Sequence, residues 1–412
     1  ATNPSDPYSR IIELKQLIHT IQENGIRVIL DVVYNHVYDR ENSSFEKIVP
    51  GYFFRHDQFG MPSNGTGVGN DMASERLMVR KFILDSVHFW IQEYGIDGFR
   101  FDLMGILDID TMEQIRDLVD QFDPSFMIIG EGWDLNTPLP TQKKAIIKNQ
   151  SKLPRIAQFN DIFRDTIKGC TFNLNDKGFV FGNHVKLSQS KQVISGSIGL
   201  IEGGNGIFLE PSQTINYIES HDNHTMWDKF LSMQVEEDEK TLIRYHRLAS
   251  TILLLSQGIP FLHSGQEFFR TKNKIGNSYK SPNEVNRLDW VRKQKHLEHV
   301  EYLKGLIELR KSNQAFRLRT AIQIKSHFEW LPLIEPILGY RLKDIKSYGE
   351  WSDIVVIFNP LNSKQTINFP LTGQWFVLAN HENAGPTRRE SIINPSTIII
   401  EPISALVIGR LD

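Results

Sequence analysis

Between residues 9 and 23, Leu14, Leu17, Ile18 and Ile21 recur at the spacing that places them on one face of a helix. Asn24-Gly25 stops that helix, and residues 26–33 follow as a nearly unbroken apolar run. The cycle then repeats. Val79, Ile83, Val87, Trp90 and Tyr94 mark a helix that ends at Gly95, where a residue without a Cβ enters the left-handed conformation freely. Residues 96–101 read as the next strand, and a helix at about 111–122 leads into a strand at 126–130. Helices alternating with buried apolar strands predict a parallel sheet. Runs at 155–159, 214–218 and 259–262 bring the predicted strands to six.

This α/β pattern predicts a (β/α)8 TIM barrel, which needs eight strands. The opening helix should itself follow a strand, so the first two strands are expected to be missing from this chain. Beyond Arg317 the rhythm changes. Short β-rich runs at 337–342, 354–358, 375–378, 397–400 and 405–408 are separated by Asn, Pro, Gly and Ser, with no helix between them. They predict a C-terminal antiparallel β-sandwich. The expected domains are therefore residues 1–317, a barrel incomplete at its N-terminus, and residues 318–412, the sandwich.

Composition narrows the classes. The 412 residues are 40% hydrophobic and 23% charged, with a net charge of −3, which argues against nucleic acid or an anionic membrane as the partner. The longest apolar run, 248–255, is far short of the ~20 residues of a membrane helix. The single cysteine, Cys170, excludes an internal disulfide and reads as a small buried or loop residue. A cytoplasmic bacterial protein is expected, with secretion left open because the natural N-terminus is expected to lie upstream.

In a barrel, polar residues at the C-terminal strand ends carry the chemistry. Here the strand runs finish in Asp31, Asn35 and His36, in Arg100 and Asp102, in Glu131 and Trp133, in Asn160 and Asp161, and in Glu219, His221, Asp222 and Asn223. Arg100 and Asp102 stand two apart and so project to the same side of their strand, where the guanidinium favours an ionised carboxylate. Glu131 follows about one helix-and-strand unit later, on the adjacent strand. Neighbouring strands lie ~5 Å apart, close to the ~5–5.5 Å carboxyl separation of retaining glycosidases. A lone Asp at a strand end is commonly a turn former or helix cap, and a lone His a core residue. Polar clusters at successive strand ends, in order, are poorly explained that way.

Four segments, DVVYNH (31–36), GFRFDLMG (98–105), GEGW (130–133) and YIESHDN (217–223), resemble the four signature regions of the α-amylase superfamily, glycoside hydrolase family 13. By that resemblance Asp102 is the nucleophile, Glu131 the general acid/base and Asp222 the stabiliser of the distorted transition state. Arg100, His36 and His221 would hold the sugar, with Trp133, Asn35, Asn223 and Asp31 as further substrate-binding candidates. Narrower features resemble type I pullulanases. These are the loop Thr66-Gly-Val-Gly-Asn70-Asp71, Ala73-Ser-Glu75-Arg76, Trp133 directly after the acid, Gln266 to Lys272, and Asn277 to Asn286 with Asp289-Trp290. Lys280 and Asn283 depart from that pattern and put the contacts of their loop in doubt.

The resemblance implies retaining hydrolysis of α-1,6-glucosidic branch points in pullulan, limit dextrin or glycogen, with a Glu131 pKa raised by its pocket and by Asp102. The partner is an α-glucan polysaccharide or oligosaccharide, together with a missing N-terminal segment of the same enzyme that would complete the barrel. An α-1,4-acting amylase or branching transglycosylase keeps the chemistry and changes the bond. A non-catalytic glucan-binding fragment would not need all three carboxylates. No organic cofactor is implied. Calcium, as in many α-amylases, would use oxygen ligands such as Asn35, but no Asp-rich loop supports it. Gly65-Thr-Gly-Val-Gly69 looks superficially like a phosphate loop, yet no strand feeds it and no Lys-Ser/Thr follows. Among the aromatics, Trp133 and Trp227 stand beside catalytic motifs and are candidates to stack on sugar rings.

Overall fold

The computed structural model describes residues 3–200, 206–233 and 237–411. The chain divides into two compact units, residues 1–159 and 160–412.

In the first unit, α1 (Pro7–Glu23) begins where Asp6 accepts a hydrogen bond from Tyr8 N at 3.0 Å and Pro7 fills the first turn. Of its apolar stripe only Ile18 is buried, and Leu17 is 56% exposed. Strand β1 (Ile29–Val32) follows, then the short α2 (Ser44–Ile48). Helix α3 (Leu77–Tyr94) buries Val79, Ile83, Val87 and Ile91, one residue per turn, and Gly95 closes it in the left-handed conformation at φ 62°. Each such side chain contributes about 1.5–3 kcal/mol on full burial. Strand β2 (Gly98–Phe101), α4 (Ile109–Asp120), β3 (Met127–Gly130) and β4 (Ala157–Phe159) complete the unit. The four strands pair in parallel in the order β1-β2-β3-β4. Val32 lies opposite Phe101, and Phe101 opposite Gly130. The chain therefore leaves β2 and β3 at one level, delivering Asp102 and Glu131 to the same edge.

The second unit starts with α5 (Asp161–Lys168), capped by Asn160, and α6 (Leu187–Ile194). Strand β5 (Thr214–Asn216) leads to α7 (Met226–Ser232) and α8 (Glu239–Leu255), and then to β6 (Ile259–Pro260), which pairs with β5 in parallel. Each of the six predicted parallel strands is present, shorter than the apolar run that signalled it. Helices α9 (Asn283–Asn286), α10 (Trp290–Lys295), α11 (Leu297–Ser312) and α12 (Ala321–His327) precede the β-rich part.

That part contains β7 (Phe328–Trp330), β8 (Leu338–Leu342), β9 (Asp353–Asn359), β10 (Gln365–Asn368), β11 (Gln374–Ala379), β12 (Ser391–Ile393), β13 (Thr397–Ile400) and β14 (Ser404–Arg410). An antiparallel sheet of order β12-β11-β14-β9-β8-β7 and a hairpin-like pair β10-β13 enclose a core of Val355, Ile357, Ile367, Trp375, Ile398 and Ile408. Strand alternation sends Ile354, Val356 and Phe358 of β9 to the opposite face. There they share a core with Leu253 of α8 and Leu306 of α11. This shared core joins the β-rich part to the preceding helices, so the compact unit extends back to Asn160. No described helix is long and apolar enough to cross a membrane.

Candidate active site

In the first unit, Arg100 stands opposite Asp31 in the β1–β2 register. Its Nη1 donates to Asp31 Oδ1 and to Asp102 Oδ1, each at 2.9 Å, while Nη2 lies 2.9 Å from Glu131 Oε1. The guanidinium carbon sits 5.8 Å from the centre of the Phe159 ring. Burial alone would lower the Arg100 pKa, but the charges of Glu131, Asp31 and Asp102 outweigh it and hold the group more firmly protonated than usual. One cation thus fixes three carboxylates, and a guanidinium's planar fork does this where an ammonium could not.

Asp102 is gripped from its other side. Asn35 is fully buried, and its Nδ2 donates to Asp102 Oδ2 at 3.0 Å and to the Asp102 backbone carbonyl at 2.6 Å. The Asn35 Oδ1 accepts from His36 Nδ1. This order assigns the His36 proton to Nδ1 and leaves Nε2 as an acceptor for a sugar hydroxyl. Burial lowers the His36 pKa against the opposing charges of Asp102 and Asp71, so the ring is neutral at neutral pH. Both ends of the Asn35 amide are committed within the protein. It positions the Asp102 carboxylate.

Glu131 is held by a backbone device. Leu103, just past β2, takes φ 38° and ψ 48°, a conformation costly for a side chain with a Cβ. In it the Leu103 N–H reaches Glu131 Oε2 at 3.0 Å. Two residues on, a Cβ on Gly105 would lie 1.9 Å from the carbonyl oxygen of Trp133, so only glycine lets the chain after Glu131 pack this closely. Trp133 itself is partly exposed.

The loop that resembled a phosphate cradle already holds an anion. Asp71, fully buried, accepts from Ser63 Oγ and from the backbone N–H groups of Gly65 and Thr66, both at 2.9 Å. Burial opposes ionisation, but these donors prevail and Asp71 titrates below the usual carboxylate range. Asn70 Oδ1 and Nδ2 then clamp the backbone of Val37 at 2.9 and 2.7 Å, tying this loop to the segment that carries His36. Arg55, 3% exposed, pairs with Glu75 at 2.7 Å and donates to the Ile106 carbonyl at 2.6 Å. The loop motif is thus a brace for the site.

In the second unit, His221 and Asp222 are exposed or half-exposed, with His221 Nε2 3.5 Å from Asp222 Oδ2. Asn223 adopts φ 61°, which turns the chain sharply after Asp222. Buried groups fix this turn from beneath. Glu219, 1% exposed, accepts from His263 Nδ1 at 2.9 Å and from the Met226 N–H at 2.7 Å. Lys272 Nζ donates to the His221 carbonyl at 2.8 Å and to that of Gly276 at 2.9 Å. Trp227 is 4% exposed, packed 5.1 Å from the Phe269 ring centre, so it is a core residue and not a sugar platform. Lys280 is exposed, while Asn286 closes its loop through the Ser278 and Ser281 carbonyls at 2.7 and 3.0 Å.

The chain is similar to known pullulanases. Residues 324–383 match the family model described as the pullulanase all-beta domain. The pullulanase of Bacillus subtilis is 54% identical over 357 residues, covering 87% of this chain and 50% of that protein. The crystal structure of type I pullulanase from Bacillus subtilis complexed with maltose superposes with a TM-score of 0.97 at 48% identity, covering all of this chain and 57% of the other. Pullulanase from Anoxybacillus sp. complexed with maltotetraose gives a TM-score of 0.94 at 50% identity, covering all of this chain and 58% of the other. The chain is pullulanase-like along its whole length. It spans half the length of the Bacillus subtilis pullulanase and about a third of pullulanase 1 of Arabidopsis thaliana.

Proposed function

We propose that the protein carrying this chain is a debranching glycoside hydrolase that cleaves α-1,6-glucosidic linkages of pullulan, limit dextrin or glycogen with retention at the anomeric carbon. The observation that carries this reading is the single Arg100 guanidinium bonded to both Asp102 and Glu131. It holds two carboxylates within one guanidinium's span, the proximity a double-displacement mechanism needs.

In the first step Asp102 attacks C1 while Glu131 gives its proton to the glycosidic oxygen, so the C1–oxygen bond breaks as the C1–carboxylate bond forms. Protonation of Glu131 removes the charge that Arg100 Nη2 faces, and Nη1 keeps Asp102 ionised and aimed. Water then attacks C1, returns a proton to Glu131 and frees Asp102. His36 Nε2 accepts from a sugar hydroxyl, and the resemblance gives His221 a sugar contact and Asp222 the stabilisation of the distorted ring. Asp31, Asn223 and Trp133 complete the sugar contacts. The parallel strands belong to a (β/α)8 barrel within residues 1–317, with the sandwich in 318–412. The exposed apolar residues Tyr8, Ile12 and Ile26, at 72%, 55% and 61%, support cover by a further segment of the same enzyme.

The test uses the full-length protein with pullulan and with linear amylose. Maltotriose released from pullulan, with amylose left intact, is the expected result. Shortening of amylose with pullulan intact would assign the protein to α-1,4 cleavage.

A further inference from the structure

Away from the catalytic carboxylates, the second unit contains a cavity of about 330 Å³ between α8, the α10–α11 corner and the turn after β11. Lys240, Arg244 and Arg247 line it from one face of α8, at i, i+4 and i+7, and Lys295 lines it from α10. Against these four cations stand two lining carboxylates, Glu298 and Glu382. Glu298 Oε1 lies 3.4 Å from Arg247, and Glu382 Oε1 lies 3.5 Å from His381. Asp238, the acidic neighbour of Lys240 and Arg244, is engaged in capping α8 through the Thr241 N–H at 2.7 Å. Lys295 Nζ pairs with Glu239 Oε1 at 3.1 Å, whereas Lys240 and Arg244 have no ion-pair partner among the described residues and are the lining cations left for a ligand.

The inner wall supplies a second, independent observation. His299 is 2% exposed and His296 8%, and both line the cavity. Neither Nε2 has a hydrogen-bond partner among the described residues. Arg247 Nε donates to His299 Nδ1 at 3.5 Å, which puts the imidazole proton on Nε2. Burial and the neighbouring charges of Arg247 and the other histidines hold His299 well below its ordinary pKa, so this donor is neutral. A buried N–H without an acceptor is costly, and an oxyanion in the cavity would satisfy it.

We propose that this cavity binds a phosphate group carried on a small organic ester. A dianionic tetrahedral group matches both the two unpaired cations, Lys240 and Arg244, and the several donors, which approach from more than one side. The volume exceeds that of a bare ion, and Tyr302 and Phe269 give the wall an apolar face for the organic part.

Calorimetric titration of the full-length protein with glycerol 3-phosphate, and separately with inorganic phosphate, tests this. Neither probe has a pyranose ring to occupy sugar subsites. The ester should bind saturably with Kd on the order of 1 mM or tighter, and inorganic phosphate should compete with it. The triple variant Lys240→Ala, Arg244→Ala, Lys295→Ala, all exposed positions, should weaken binding by roughly tenfold or more while melting at an unchanged temperature. Equal affinity for the two probes assigns the site to the phosphate group itself, and tighter ester binding adds the Tyr302 wall. Absence of saturation up to ~10 mM, failure of inorganic phosphate to compete, or undiminished binding by the variant would overturn the proposal.

Discussion

Arg100 places Nη2 2.9 Å from Glu131 Oε1 and so joins the proposed acid/base to the proposed nucleophile, Asp102, that its Nη1 already holds. The same guanidinium reaches Asp31. Replacement by Lys keeps the charge and loses the fork, so Arg100→Lys should lower kcat on pullulan by roughly 10²–10³-fold, as loss of a preorganised electrostatic donor does. A variant within threefold of wild type would show that the bridge is dispensable.

Asn35 acts through Asp102, and its removal should leave substrate affinity in place. Asn35→Ala is expected to reduce kcat by ~10²-fold with little change in KM, because the carboxylate then drifts from its attack position. Asn35→Asp should be no better, since it offers no N–H to Asp102. A selective rise in KM would instead return Asn35 to direct sugar contact.

The Asp71 carboxylate replaces a ligand inside its own loop. Asp71→Ala leaves the Gly65 and Thr66 N–H groups without their acceptor, and the loss should destabilise the protein by about 1–3 kcal/mol. Limited proteolysis between residues 64 and 70 should accelerate with it. Unchanged cleavage would mean that the Asn70 clamp on Val37 suffices alone.

His246 lies fully buried against Phe230, Phe269 and His299, and burial lowers its pKa to about 4. A histidine depressed in the folded state contributes stability at pH above its unfolded pKa, ~6.5. That stability is lost as pH falls from there toward 4, because the unfolded chain takes up the proton first. His246→Phe should therefore flatten the decline of Tm between pH 6.5 and 4. A variant whose Tm falls as steeply as wild type across that window would place the acid sensitivity elsewhere.

Much of this architecture was readable beforehand because its signals are local. Apolar runs, most of them starting just after Gly or Pro, marked the described parallel strands, and the two-residue spacing of Arg100 and Asp102 foretold their contact. What escaped depends on partners distant in sequence. Nothing local to Asn35 announces that its amide lies against Asp102. Trp227 stood beside a catalytic motif yet turns inward onto Phe269. Glu219 gave no sign that His263 and the Met226 N–H would claim both its oxygens. In the sandwich, β7, β10 and β12 were missed because each is a strand of three or four residues with little burial, too short to show alternation.

The most direct test of the account is the identity of the covalent intermediate. Full-length Glu131→Gln protein, incubated with a fluorinated maltosyl fluoride whose deglycosylation is slow, can be digested and its labelled peptide sequenced by mass spectrometry. The account predicts a glycosyl ester on the Asp102 carboxylate, in the peptide containing Gly98 to Gly105. A label on another carboxylate, or turnover to the inverted anomer with no label, would contradict it.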